Sequence, residues 1–421
     1  MKYSVVTFGC RVNQADSLVI EETLRSRGGQ AVSPADADLV IVNSCSVTAT
    51  ADQGTRQTIR RIARQNPAAR VVVTGCYATR RSHEVAALPG VIRVVTNGEK
   101  DAWSAILDEC PPVDPARFGD GEGPCGSSLQ PGVAGRTALT LRVQTGCSEP
   151  CSYCIIPTTR GRGRSKPFST VVRDIDRALD AGYREIAITG VHLGSYGRDL
   201  GNGDSLTSLV EHLASRREDV LFRISSLEPM DCTPEIVAAV AGSRRLAPHF
   251  HLPLQHGSDE VLRAMRRPYT AATFERLVHS IHDVLPWAAI GSDLIVGFPG
   301  ESEQDALATE RVVSGLPLSH LHVFPYSDRP GTTASRLSGK IDGMAVRARG
   351  QRLRAIGARL SRCFRQSQEG SCRRALVVDD GRSAVTDNYL KVPLPEPHPR
   401  NTWVEVTIPP ATGDGQPATS F

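Results

Sequence analysis

Near the start of the chain, three apolar runs rich in valine and isoleucine each end in cysteine: "SVVTFGC", "LVIVNSC" and "VVVTGC". Runs without polar alternation belong to strands buried on both faces, and such strands are parallel and joined by helices. Helical patterns fill the gaps at 15–27 and 51–66, with a weaker one at 82–88, and "VIRVVTN" supplies a further strand. In an open parallel sheet the C-terminal strand ends share one rim, where α/β folds place their sites. Cys10, Cys45 and Cys76 are therefore expected on one rim. Two readings stand: three small buried hydrophobes, as free cysteine often is, or three ligands of one centre.

A second alternation begins near residue 137. Its strands are "LTLRVQTG", "EIAITGV", "LFRISSLE", "HFHLPLQ", "IGSDLIVGF" and "HLHVFPYS", with helical segments such as 169–182, 205–215, 270–285 and 302–314. Six such units predict a partial (β/α)6 barrel, short of the usual eight. Residues 111–135 are rich in proline and glycine and read as a linker. Beyond 345, a basic helix over 346–371 leads to "RALVVDD", "AVTDNYLKVPL" and "TWVEVTI", which read as a small antiparallel β-barrel. The expected class is α/β. A parallel-sheet domain spans 1–110, the barrel 136–345 and the antiparallel barrel 372–410, and a disordered tail follows at 411–421.

"TGCSEPCSYC" places Cys147, Cys151 and Cys154 in the spacing C-x3-C-x2-C, directly after the first barrel strand. Four thiolates close a tetrahedral zinc site, whereas three on a four-iron cluster leave one iron open to a cofactor. No histidine or cysteine lies between 155 and 191 to serve as a nearby fourth ligand. The spacing favours the cluster over zinc. The chain has 11 cysteines, an odd number, and its start "MKYSVVTFGC" lacks the long apolar core of a signal peptide. No stretch approaches the ~18 apolar residues of a membrane span. The expectation is a cytoplasmic protein, without a membrane partner, whose thiols stay reduced for metal or catalytic use. A net charge of +4 permits a nucleic-acid partner without demanding one.

The C-x3-C-x2-C segment, with Tyr153 before its last cysteine, resembles the signature of the radical S-adenosylmethionine (SAM) enzymes. Together with the second trio, the whole chain resembles the radical SAM methylthiotransferases. "TFGCRVNQADS", "VNSCSVTATAD", "ITGVHLGSYG" and "DNYLKV" look like their MtaB branch. The branches differ around the first cysteine and in the "TGVHLG" segment. The resemblance implies two 4Fe-4S clusters, on Cys147, Cys151, Cys154 and on Cys10, Cys45, Cys76, with SAM as cofactor. It also implies an RNA-binding C-terminal domain of the TRAM kind. The implied reaction puts a methylthio group on C2 of N6-threonylcarbamoyladenosine beside the anticodon of tRNA. An external electron donor and a sulfur source are implied partners. Other branches act on isopentenyl-adenosine or a ribosomal protein. A zinc-stabilised RNA-binding protein without redox chemistry is the alternative of another class.

Cofactor contacts are expected at the C-terminal ends of the barrel strands. These supply Thr189, Gly190 and Val191, then Ser225 and Glu228, then Gln255, then Asp293 and Gly297 with Glu301. Each could instead be a satisfied core polar or a turn former. His192 reads either as a base or as a structural hydrogen-bonder. "TTRGRGRSKP" offers Arg160 and Arg162 to anions. Residues 347–365 hold seven arginines and no acid, with Leu353, Ile356, Leu360 and Phe364 at helical spacing. Arg349, Arg352 and Arg359 are the phosphate contacts expected there. Lys391 and Tyr389 are those expected of the last domain, Tyr389 as a base stacker or a core residue.

Overall fold

The structure, a computed structural model, describes residues 1–108 and 137–410. The linker expected at 111–135, Cys110, Cys125 and the tail after 410 lie outside the described residues.

The first unit contains β1 (Lys2–Thr7), α1 (Arg11–Ser26), β2 (Gln30–Ala31), β3 (Leu39–Ser44), α2 (Ala49–Gln65) and β4 (Arg70–Gly75). The short helices α3 (Cys76–Arg80) and α4 (Ser82–Ala86), then β5 (Val91–Val95) and α5 (Trp103–Asp108), complete it. The strands form one parallel sheet in the order β2-β1-β3-β4-β5. Strand β3 sits at its centre with all six residues buried, which explains its apolar run over Leu39, Val40, Ile41 and Val42. Thr48 caps α2 by accepting from the Ala51 amide at 3.2 Å.

The barrel starts with β6 (Leu139–Arg142) and a short hairpin of β7 (Gln144–Thr145) with β8 (Arg164–Ser165), between which lies α6 (Ile156–Arg160). It continues through α7 (Phe168–Asp180), β9 (Glu185–Thr189), α8 (Leu206–Ala214), β10 (Leu221–Ile224), α9 (Pro234–Gly242), β11 (His249–His251) and α10 (Asp259–Ala264). It ends with α11 (Ala271–Val284), β12 (Ala289–Val296), α12 (Glu303–Ser314) and β13 (His320–Pro325). Strands β6, β9 and β10 form one parallel ladder and β11, β12 and β13 another. Parallel bridges at Phe222–Leu246 and Ser226–His251 connect β10 to the second ladder. The six strands therefore follow sequence order around a partial barrel, as the alternation predicts.

The basic helix is α13 (Gly343–Ser367), capped by the Asp342 carboxylate, which accepts from the Met344 amide at 2.7 Å. Leu353 and Leu360 bury against the barrel core, each contributing about 1.5–3 kcal/mol. Phe364 packs instead against the last unit, so the helix spans both. That unit is an antiparallel sheet of β14 (Cys372–Val378), β15 (Ser383–Thr386), β16 (Lys391–Pro393) and β17 (Trp403–Thr407) in the order β16-β15-β14-β17. No helix among the described residues is long and apolar enough to cross a membrane.

Candidate functional site

Strands β1, β3 and β4 are neighbours in the sheet, so their C-terminal ends are adjacent. Cys45 and Cys76 directly follow β3 and β4, and Cys10 follows β1 after a turn of two residues, Phe8 and Gly9. Gly9 makes that turn at φ +86°, and a Cβ placed on it would lie 2.5 Å from the Cys45 Sγ. Cys45 and Cys76 are buried and Cys10 is exposed. Burial pushes the Cys45 thiol up to about 12, with Cys10 and Cys76 adding to the rise. Asn97 Nδ2 donates to the Cys76 Sγ at 3.7 Å and to the Thr159 carbonyl at 2.8 Å.

The second trio sits in the loop between β7 and α6. The Cys147 Sγ accepts from the Glu149 amide at 3.4 Å. The Cys151 Sγ accepts from Arg267 Nη1 at 3.1 Å. Arg267 also pairs with Glu228 and donates to the Tyr269 hydroxyl at 3.0 Å. Burial pushes the Cys154 thiol up to about 12, with Cys151 and Cys147 adding to the rise. A ligand set in this protonation state must release protons when it takes up a metal.

One short element joins the two trios. Helix α6 begins two residues after Cys154 and packs on α3, whose first residue is Cys76. At its end, Arg160 donates to Asn13 and pairs with Asp16 at 3.1 Å, and Asn97 bridges the Cys76 sulfur and the Thr159 carbonyl. The trios are therefore neighbouring sites on the interface of the first sheet and the barrel.

Three thiols per site fit a multi-iron cluster better than a single ion. Tetrahedral zinc, with Zn–S near 2.3 Å, needs sulfurs about 4 Å apart. Neither trio holds its three ligand atoms within 4.8 Å of one another. Among the described residues only His251, Asp293 and His322 do so.

The expected cofactor contacts line the strand ends, with mixed roles. Thr189 is buried and accepts from the Ser225 hydroxyl at 3.1 Å. Gly190 and Val191 are held by Gln144, which accepts from the His192 amide at 3.0 Å and donates to the Gly146 carbonyl at 2.9 Å. A Cβ on Gly190 would lie 3.0 Å from that glutamine. Glu228 is raised above the usual carboxylate range by burial, which outweighs Arg267. Gln255 holds a left-handed φ of +69° four residues beyond β11, where it bridges to Leu294 of β12. Asp293 faces the barrel lumen, where its Oδ1 meets His251 Nε2 at 2.9 Å and His322 Nδ1 at 3.1 Å. Gly297 and Glu301 do something else: the Glu301 carboxylate caps the Gly297 and Phe298 amides, and a Cβ on Gly297 would strike Val346. His192 Nε2 lies 2.8 Å from Asp231. Burial lowers the His192 pKa, but Asp231 and the Cys147 sulfur outweigh it and push it up to about 10. It is therefore tied into a structural pair.

The structure gives four of the six expected RNA contacts acidic partners within the protein. Arg160 is buried in the Asp16 cluster, where its guanidinium pairs with that carboxylate. Arg349 is buried against Glu301 at 3.2 Å and Glu303 at 3.1 Å. Arg352 is held by Glu303 and Glu310 at 2.6 Å each. Lys391 pairs with Asp379 at 2.6 Å. Arg162 and Arg359 are exposed. Tyr389 is half-buried: its ring lies 4.9 Å from His249 and 4.4 Å from the Arg223 guanidinium.

Sequence reasoning passed over Arg11, Arg223, Arg267 and the lumen histidines. The signal for the last was present in "HFHLP" and "HLHVF". Histidines two apart in a strand share a face, and in a barrel that face is the lumen.

Residues 2–97 match a family described as uncharacterized protein family UPF0004, and residues 141–313 match the radical SAM superfamily. The threonylcarbamoyladenosine tRNA methylthiotransferase MtaB of Bacillus subtilis is 34% identical over 92% of this chain and 88% of its own length. That of Aquifex aeolicus is 35% identical over 93% of this chain and 96% of its own. This chain belongs to the MtaB branch of the radical SAM methylthiotransferases. The tRNA-2-methylthio-N(6)-dimethylallyladenosine synthase of Fusobacterium nucleatum, from a sister branch, is 30% identical over 92% of this chain and 90% of its own. Among solved structures, the radical SAM methyltransferase TsrM of Kitasatospora setae, with cobalamin and a [4Fe-4S] cluster bound, shares the fold. Its TM-score is 0.55 at 16% identity, over 79% of this chain and 76% of that one. As a methylthiotransferase of this family the chain is an enzyme with SAM and 4Fe-4S clusters as cofactors, and both trios fit that role.

Proposed function

We propose that this chain transfers a methylthio group to C2 of N6-threonylcarbamoyladenosine beside the anticodon of tRNA, using a 4Fe-4S cluster at each cysteine trio. The observation that carries the reading is the pair of three-thiol sites joined through α6 and α3. The hydrogen on C2 is not acidic, and a positioned base, worth about 10²–10⁴-fold, cannot remove it. When bound, the clusters and SAM supply radical hydrogen abstraction and a sulfur to transfer, and each turnover then requires an external electron donor and a sulfur source.

The chain's own residues do the rest. Arg267 holds Cys151 and neutralises Glu228. Gln144 fixes the "TGVHLG" loop against the cluster loop. Asn97 places a donor on Cys76, and Arg160 ties the end of α6 to Asn13 and Asp16 beside it. Exposed arginines on α13 and at Arg162 give the RNA backbone a positive surface.

Mass spectrometry of tRNA nucleosides from cells with and without the gene tests the reading. Loss of the 2-methylthio derivative of N6-threonylcarbamoyladenosine, with its precursor retained, is expected. Loss of the isopentenyl-type product instead reassigns the substrate. Anaerobic analysis should find about eight irons per chain with matching labile sulfide, and zinc without sulfide overturns the enzyme reading.

A further inference from the structure

The lumen of the barrel is polar where an apolar filling is the rule. Arg223 on β10 is 1% exposed. Its Nε pairs with Glu185 at 2.9 Å and its Nη1 donates to the Asp387 carbonyl at 3.2 Å. Its Nη2 has no hydrogen-bond partner among the described residues. A buried cationic donor without an acceptor is costly, and a site built to bind an anion explains it.

A second arginine reaches the same place from another unit. Arg11, directly after Cys10, donates through Nη2 to the Tyr389 hydroxyl at 3.2 Å. The Tyr389 ring in turn stacks on Arg223, 4.4 Å from its guanidinium. Two guanidinium groups thus meet at one phenol, one of them carried by the residue that follows Cys10. Burial first, and then the positive charge of Arg223 and Arg11 among its neighbours, hold His249 well below the usual histidine range. Among the described residues, Glu185 pairs with Arg223, and Asp293 with His251 and His322. Arg11 and Tyr389 lie in "TFGCRVNQADS" and "DNYLKV", two of the segments in which this chain looks like its branch.

The N6 groups of the two tRNA substrate classes differ in charge. A threonylcarbamoyl group ends in a carboxylate, whereas an isopentenyl group is a hydrocarbon. We propose that Arg11 and Arg223 form the subsite for the substrate's threonylcarbamoyl carboxylate, and that Arg11 sets the preference for an anionic over a neutral N6 group. The inference rests on the substrate reading above. A site with buried donors rejects a ligand that cannot pair them far more strongly than an apolar pocket rejects an extra polar group.

The test uses the reconstituted enzyme and three anticodon stem-loop RNAs. They carry N6-threonylcarbamoyladenosine, its carboxyl methyl ester, or isopentenyl-adenosine. Binding is read by fluorescence anisotropy and product by mass spectrometry. Wild type should bind the acid about 10–100-fold more tightly than the ester, as expected for a charge-assisted pair. Arg11→Gln should reduce that preference about tenfold while leaving affinity for the isopentenyl RNA unchanged. Tyr389→Phe removes only the hydroxyl to which Arg11 donates, and should shift the preference in the same direction by less. Equal binding of acid and ester by wild type, with both converted, overturns the subsite alone. So does an Arg11→Gln variant that weakens all three RNAs alike. Conversion of the isopentenyl RNA but not the threonylcarbamoyl RNA overturns the substrate reading itself.

Discussion

Gly9 shows how tightly single residues set the auxiliary site. It holds φ +86°, a left-handed conformation, and its missing Cβ leaves room for the Cys45 Sγ at 2.5 Å. Any side chain there must strain the backbone and displace a ligand at once. Gly9→Ala should therefore lower iron from about eight to about four per chain and leave the cluster at Cys147, Cys151 and Cys154 in place. Iron and acid-labile sulfide analysis of the purified variant checks this, and an unchanged iron content would show that the turn can yield. Arg267 is the matching residue on the other side. Its guanidinium serves both the Cys151 sulfur and the Glu228 carboxylate, so no neutral residue can replace it without leaving the half-buried Glu228 unpaired.

At the scale of elements, one buried carboxylate ties the first sheet to the barrel. Asp16 on α1 meets Lys100 Nζ at 2.8 Å, Arg142 on β6 at 3.0 Å and Arg160 on α6 at 3.1 Å. Burial alone would raise its pKa, but Lys100, Arg160 and Arg142 override it and hold the carboxyl well below the usual range. Asp16→Asn leaves three cations facing one another and should cost about 3–5 kcal/mol of stability. Because the folded pKa lies below the unfolded value of about 3.9, the wild-type advantage is complete above that pH and lost as pH falls further. Urea unfolding of both proteins at pH 8, 6 and 3 should give a constant gap at the first two and a smaller one at the last. The same cluster shows what was legible in the sequence. The barrel strands and both trios could be read because each depends on a local pattern, a β-branched run or a fixed cysteine spacing. Arg160 could not, since its partners Asn13 and Asp16 lie 147 and 144 positions away. Helix α13 misled for the same reason: it carries no acid itself, but α12 supplies Glu303 and Glu310.

For the whole molecule, those ion pairs change the expected electrostatics of RNA binding. Arg349 and Arg352 are committed to α12, while Arg347, Arg354, Arg359 and Arg362 on α13 are exposed. Arg354 and Arg359 also donate to the Val323 and Ser314 carbonyls, which fixes them on the surface without neutralising their charge. If these four meet phosphates, log K should fall with log salt at a slope of about −3, and affinity should drop about fifty-fold or more between 50 and 200 mM salt. Replacing all four by glutamine should flatten the slope to near zero for this surface and weaken every tRNA alike, because phosphate contacts carry no sequence information. Arg349→Gln and Arg352→Gln should leave the slope unchanged and lower thermal stability instead, since each breaks contacts between helices. Filter binding across a salt series, run beside thermal melts of the same variants, separates the two groups. A slope that responds to Arg349 and not to the exposed four would mean that tRNA approaches by a different face.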